Sequence, residues 1–243
     1  MKLRRKKVPR TFTAWGILKE AYAVMKPRLW HIIGRYSTFA LIFIATDVVV
    51  HKFDFLEFIV SLLFSFCSVL FGLTYIEGKE DYTLDLVLRK MSSKKFWRFV
   101  FSYALSTLAI IGGSILLVIY LIFNREPNLF VAVLAFPGMI IAIQLYFVKF
   151  IAVDRAPKPR EALKESVRIT KGHRFELVEY LIVAIVVNII GALALVAGLF
   201  FTIPLTLIGT TLIYKKLSGA DTQIPDNAET KPEVVEAEIV DPA

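Results

Sequence analysis

The residues of this chain that could do chemistry are few, and most of them stand far apart. There are three histidines, His31, His51 and His173, and one cysteine, Cys67. A bound transition metal needs several such ligands at short, regular spacing. The sequence has no Cys-His set of that kind, and no HExxH, Walker loop or GxSxG. Cys67 lies within an uncharged run, so no intrachain disulfide can form and the thiol reads as a small buried apolar group. What remains for acid–base work is Lys149, Asp154, His173, Glu176 and Glu179. These would make a lipid-acting site only if folding drew them together. The sequence therefore predicts no catalytic residue, no metal site and no cofactor.

A second group of candidates comes from charge or backbone breaks in strongly apolar surroundings. Arg35 sits within an otherwise apolar stretch, and a charge in hydrocarbon costs several kcal/mol unless it is paired or reaches the interface. A pair with Glu179 would stabilise it, with Lys149 competing for the same carboxylate. The alternative is an Arg35 that snorkels without a fixed partner. Gly112-Gly113, Pro137-Gly138 and Asn188 each fall near the middle of an apolar stretch. Proline frees a backbone carbonyl, and such breaks form substrate sites in transporters. The same residues also serve close helix packing, which is the reading the sequence favours here because no charge lies at that level. Ser61, Ser65, Ser68 and Gly72 form a small-residue stripe, and Ala194 with Gly198 forms a small-xxx-small pair; both read as helix contacts.

The elements that position these residues follow from hydropathy. Hydrophobic residues make up 56% of the chain and charged residues 21%, too apolar for a soluble domain of 243 residues. About 20 apolar residues span a bilayer as a helix. Leu29–Val50 meets that length, as do the uncharged runs between Glu57 and Glu77, Arg98 and Arg125, and Glu126 and Lys149. The 35 uncharged residues between Glu179 and Lys215 would make a helix of about 52 Å, longer than any ordinary bilayer. Gly198 and Pro204 divide them. The predicted spans are 29–50, 57–76, 99–124, 128–149, 177–197 and 201–215, the last short enough to be re-entrant.

Before each pair of spans lies an amphipathic segment, predicted as a helix in the membrane interface at 12–26, 82–92 and 159–171. Their apolar stripes are Trp15, Leu18, Tyr22 and Met25; Leu84, Val87, Leu88 and Met91; and Leu163, Val167 and Thr170. The fold class is thus an all-α integral membrane protein of six helices in three hairpins, each led by an interfacial helix, within one domain over 11–217. The junctions rhyme across the units, as Trp30…Tyr36, Trp97…Tyr103 and Phe175…Tyr180.

Of 29 Lys and Arg residues, 25 lie in segments 1–28, 78–98, 152–176 and 215–243. Basic loops stay in the cytoplasm, so both termini are predicted to be cytoplasmic. The net charge of +8 is explained by these flanks, which face anionic headgroups, and not by nucleic-acid binding, for which no module is present. The basic segment 1–10 lacks a following apolar core and cleavage site, so it is expected to be retained. Residues 218–243 hold seven acidic residues, one lysine and no aromatic residue, and are expected to be disordered.

Over Ala162–Leu217, the junction EALKESVRITKGHRFELVEYLIV, the TIP motif and the terminal IYKKL resemble the C-terminal part of prokaryotic six-span membrane proteins. Those proteins are related to the membrane domain of glycerophosphoryl diester phosphodiesterases. The resemblance implies six spans and brings no catalytic residue. The expected function is a non-catalytic plasma-membrane scaffold or accessory protein that engages lipids or protein partners at the cytoplasmic leaflet. The alternative is a small transporter or channel using the breaks at Pro137 and Asn188.

Overall fold

Threonines open two of the helices. In the computed structural model, which describes residues 12–50, 52, 54–78, 82–123, 129–194 and 198–219, the Thr13 hydroxyl accepts from the Gly16 amide (3.2 Å) and starts α1, Ala14–Met25. Thr83 accepts from the Leu86 amide (3.3 Å) and starts α4, Leu84–Met91. A third short helix, α9 (Pro159–Thr170), begins with proline in its first turn, and the Glu161 carboxylate accepts the Lys158 amide (3.2 Å). These caps satisfy donors that a helix start leaves open. The segment 1–10, nearly all of the acidic tail, His51 and Arg125 lie outside the described residues.

Between the short helices run long apolar ones. They are α2 (Leu29–Val50), α3 (Asp54–Glu77), α5 (Lys94–Gly113), α6 (Ile115–Phe123), α7 (Leu129–Gln144), α8 (Val148–Asp154), α10 (Arg174–Leu193) and α11 (Leu199–Ser218). Every regular element among the described residues is helical. Five stretches are long and apolar enough to cross a membrane: Ala14–Val50, Asp54–Glu77, Lys94–Gly113, Val133–Asp154 and Arg174–Leu193. Helices adjacent in sequence pack together, α2 on α3, α5 and α6 on α7, and α10 on α11.

Two expected spans are broken. Residues 99–124 are divided at Ser114, after Gly112-Gly113, where three poor helix formers stand together. Residues 128–149 are divided by a turn at 145–147 that contains neither glycine nor proline. The Gln144 carbonyl there accepts from Ser166 Oγ (2.8 Å) and Thr170 Oγ1 (3.4 Å) of α9. Side-chain donors from a neighbour thus satisfy a backbone group that the broken helix frees.

The final helix also differs from expectation. It has 20 residues, about 30 Å at 1.5 Å per residue, and it is the most enclosed of the helices of that length. α1, α2, α3 and α10 all pack against it. α1 lies across it: Ile17 stands over Gly209, Glu20 reaches Lys216, and Tyr22 reaches Phe201. The face of α1 that is buried is Ala14, Ile17, Leu18, Ala21 and Met25, while Trp15 and Tyr22 of the expected stripe are exposed. In α9 the buried face is likewise shifted, to Ala162, Ser166, Ile169 and Thr170. In α4, Leu86 and Val87 are buried and Leu84 and Leu88 are exposed. Small residues let helices approach, so they mark the contact better than bulk does.

α3, α8 and α11 each end near a residue of positive φ: Gly78 (61°), Ala156 (47°) and Gly219 (68°). Only glycine adopts that region without cost. The Ala156 carbonyl is held by Arg98 Nη1 at 2.5 Å. Ala156→Gly is expected to raise the melting temperature by about 2 °C or more, and Gly78→Ala to lower it by about 2–4 °C, from a strain of about 1 kcal/mol at each position. Thermal melts of the purified full-length variants in detergent check both signs.

Candidate functional site

The ends of α3, α8 and α11 carry the charges that meet. Glu77 is the last residue of α3, Asp154 the last of α8, and Lys215 lies in the last turn of α11. Lys215 is 5% exposed, yet its Nζ stands 2.5 Å from Glu77 Oε1 and 3.3 Å from Asp154 Oδ1. The second Asp154 oxygen accepts from the Tyr214 hydroxyl at 2.7 Å. A buried ammonium needs this much compensation, because its desolvation costs several kcal/mol.

The charges continue outward with alternating sign. Arg155 lies 3.9 Å from Asp154 Oδ2 and 3.4 Å from Glu165 Oε1, and Glu165 binds Arg168 through both oxygens (2.7 and 2.5 Å). That pairing holds the Arg168 guanidinium still further above its ordinary range. Arg155 also donates to the Ser218 carbonyl (3.2 Å), capping the C-terminus of α11 where cations are favoured. On the other side, Lys216 bonds Glu20 of α1 at 2.6 Å. Four helices, α1, α3, α8 and α9, are thereby tied to the end of α11.

A cavity of about 160 Å³ opens beside this network, lined by Glu77, Asp154, Thr74, Lys90 and Lys95. Phe66, Leu70 and Leu73 supply apolar lining. Asp154 directs both oxygens at α11, so the arrangement fixes helix ends. Nearby, Tyr82 anchors the entry to α4: its hydroxyl donates to the Cys67 carbonyl (3.3 Å) and its ring packs on Phe39 and Phe71. Burial pushes its phenol well above the usual range, so it remains a neutral donor.

The residues singled out from sequence fall in several places. Arg35 donates to the Tyr82 carbonyl (3.2 Å), while Glu179 is exposed on α10, so the expected pair is replaced. The reason is packing: α2 lies on α3 and α11, and α10 lies on α1, α7 and α11. Lys149 stands over the rings of Tyr146 and Phe150 (5.6 and 5.8 Å). His173 pairs with Glu176 (2.6 Å) at the start of α10, apart from Asp154 in the charge network. Of the acid–base candidates, His173 and Glu176 meet, while Asp154 bonds Tyr214 and Lys215.

Gly113 and Gly138 do meet. Their Cα atoms face across α5 and α7, and a Cβ on either would overlap Ile141 or Ser114. Gly112 and Pro137 are exposed. Asn188 belongs to another helix pair, where its Nδ2 donates to Thr206 Oγ1 (3.4 Å). Along α3 only the inner part of the small-residue stripe is closely packed, with Gly72 against Thr211 of α11, while Ser61 is exposed, Ser65 half-buried and Ser68 half-buried. Ala194 falls beyond the end of α10 and is exposed, and Gly198 packs on Gly191 instead, 2.8 Å from its Cα to a Cβ built on Gly198. The helix ends earlier than expected, which moves the contact by three residues.

Comparison with family models, with characterised proteins and with solved structures returns no match. Function is therefore read from the geometry alone. Lys215→Met would remove the buried cation between Glu77 and Asp154, a loss expected to cost about 3–5 kcal/mol. The neutral triple Lys215→Met, Glu77→Gln, Asp154→Asn is expected to recover at least half of it. Detergent melts read both, and an unchanged single variant would contradict the assignment.

Proposed function

We propose that this chain is a six-span protein of the plasma membrane with both termini in the cytoplasm. It acts without catalysis, as a scaffold or accessory protein that engages anionic lipids and protein partners at the cytoplasmic leaflet. The observation that carries the reading is the junction of Glu77, Asp154 and Lys215. If α3, α8 and α11 all end at one membrane face, α4, α9 and the start of α5 share that face, with the exposed cations Arg89, Lys94, Arg160 and Lys164.

Three further features support it. α11 has the length of a crossing, and its four threonines and two lysines are tolerable because protein surrounds it on most sides. Trp30, Trp97 and Phe175, in the first turns of α2, α5 and α10, are 83%, 61% and 93% exposed, as aromatic residues at a headgroup level would be. The outer parts of α2 and α10 present Leu41, Val49, Ile182 and Ile189 outward, as lipid-facing helices do. The transport reading would need the midplane residues to converge, and Gly113 with Gly138 lies in one helix pair while Asn188 lies in another.

A reporter fused after residue 126 tests the orientation. The expected result is a non-cytoplasmic position there and a cytoplasmic one after residues 92 and 171. A cytoplasmic reading at 126 would overturn the proposal.

A further inference from the structure

A second cavity, of about 760 Å³, lies between the outer face of α5 and the first turns of α9, in the range that encloses small-molecule ligands. Its two walls differ in chemistry. Phe101, Leu105 and Leu108 of α5 form an apolar wall, with Phe101 and Leu108 60% and 65% exposed. Lys158, Arg160 and Lys164 form the other. The one carboxylate among the described lining residues, Glu161, is held by the Lys158 amide (3.2 Å). None of the three cations has an ion pair among the described residues, in contrast to Arg168 two turns further along, which is held by Glu165. All three are exposed, and the positive end of the α9 dipole adds to them. Trp97, one turn before Phe101, is exposed on α5 as well.

We infer that this groove binds an anionic phospholipid of the cytoplasmic leaflet. Its phosphate is held by Lys158, Arg160 and Lys164, and an acyl chain lies along Phe101, Leu105 and Leu108. Charge complementarity selects the headgroup, since three unpaired cations face one engaged carboxylate. The apolar wall selects a lipid over a soluble phosphate, which would gain nothing from Leu105 and Leu108. The inference rests on the proposed orientation, in which α5 crosses the membrane with α9 at its cytoplasmic end, and adds a discrete site to that face.

Full-length protein in detergent, incubated with equal phosphatidylcholine and phosphatidylglycerol, then gel-filtered and analysed for retained lipid by mass spectrometry, tests it. Each basic residue at a membrane surface contributes about fivefold, so at least about a tenfold enrichment of phosphatidylglycerol is expected for the wild type. The triple Lys158→Ala, Arg160→Ala, Lys164→Ala is expected to lose it. A control triple, Lys19→Ala, Lys26→Ala, Arg28→Ala, is expected to keep it. Leu105→Trp, which fills the acyl wall without altering charge, is expected to reduce the enrichment at least about fivefold at an unchanged melting temperature. Equal enrichment in the groove triple and the wild type would overturn the site. So would equal loss in both triples, which would leave only a diffuse cationic face, or displacement of the lipid by millimolar inorganic phosphate. A reporter at residue 126 found in the cytoplasm would instead overturn the orientation.

Discussion

A lysine held out of water between two carboxylates constrains the whole arrangement. Lys215 belongs to the last helix, Glu77 to the third and Asp154 to the eighth, so one ammonium joins segments 138 and 61 residues apart in sequence. Such a group is costly when unpaired and modestly favourable at best when paired, so it specifies register more than it adds stability. The ends of α3, α8 and α11 must arrive together for any of the three charges to be compensated. Tyr214, Arg155 and Glu165 then extend the same requirement to α9, and Lys216 extends it to α1 through Glu20.

Enclosure by this clasp explains how α11 can carry four threonines and two lysines. Hydrocarbon would penalise its threonines, but Thr206, Thr210 and Thr211 each donate back to a carbonyl of their own helix. The neighbours come close because glycine makes room. Gly209 leaves space for the Tyr180 hydroxyl, 2.5 Å from where a Cβ would stand, and Tyr180 donates to the Thr206 carbonyl at 2.6 Å. Gly72 does the same for Thr211, and Gly191 for Thr202 and Gly198. Polar contacts at the centre and apolar surface outside are the arrangement expected where lipid is the solvent.

That inversion also decides what could be read from the chain. Uncharged runs located the long helices, and amphipathic spacing located the short ones. The contact faces were harder to read, because lipid is as apolar as a protein core. Trp15, Tyr22, Leu84 and Leu88 point outward, whereas Ala14, Ala21, Ala162 and Ser166 are buried. The break at 145–147 has no local signal, since its stabilising hydroxyls come from Ser166 and Thr170 on another helix. Glu77 and Lys215 likewise lie too far apart for spacing to connect them. One clue was present: α3, α8 and α11 each close on a charge, and the third has the sign opposite to the other two.

The most direct measurement is of the contact itself. Solid-state NMR of the full-length protein in lipid bilayers, with nitrogen-labelled lysine and carbon-labelled aspartate and glutamate, would report dipolar transfer from the Lys215 ammonium. The distances of 2.5 and 3.3 Å to the carboxylate oxygens predict correlations to the side-chain carboxyl carbons of both Glu77 and Asp154. A Lys215 ammonium that correlates with neither carboxyl carbon, and exchanges freely with bulk water, would contradict the account.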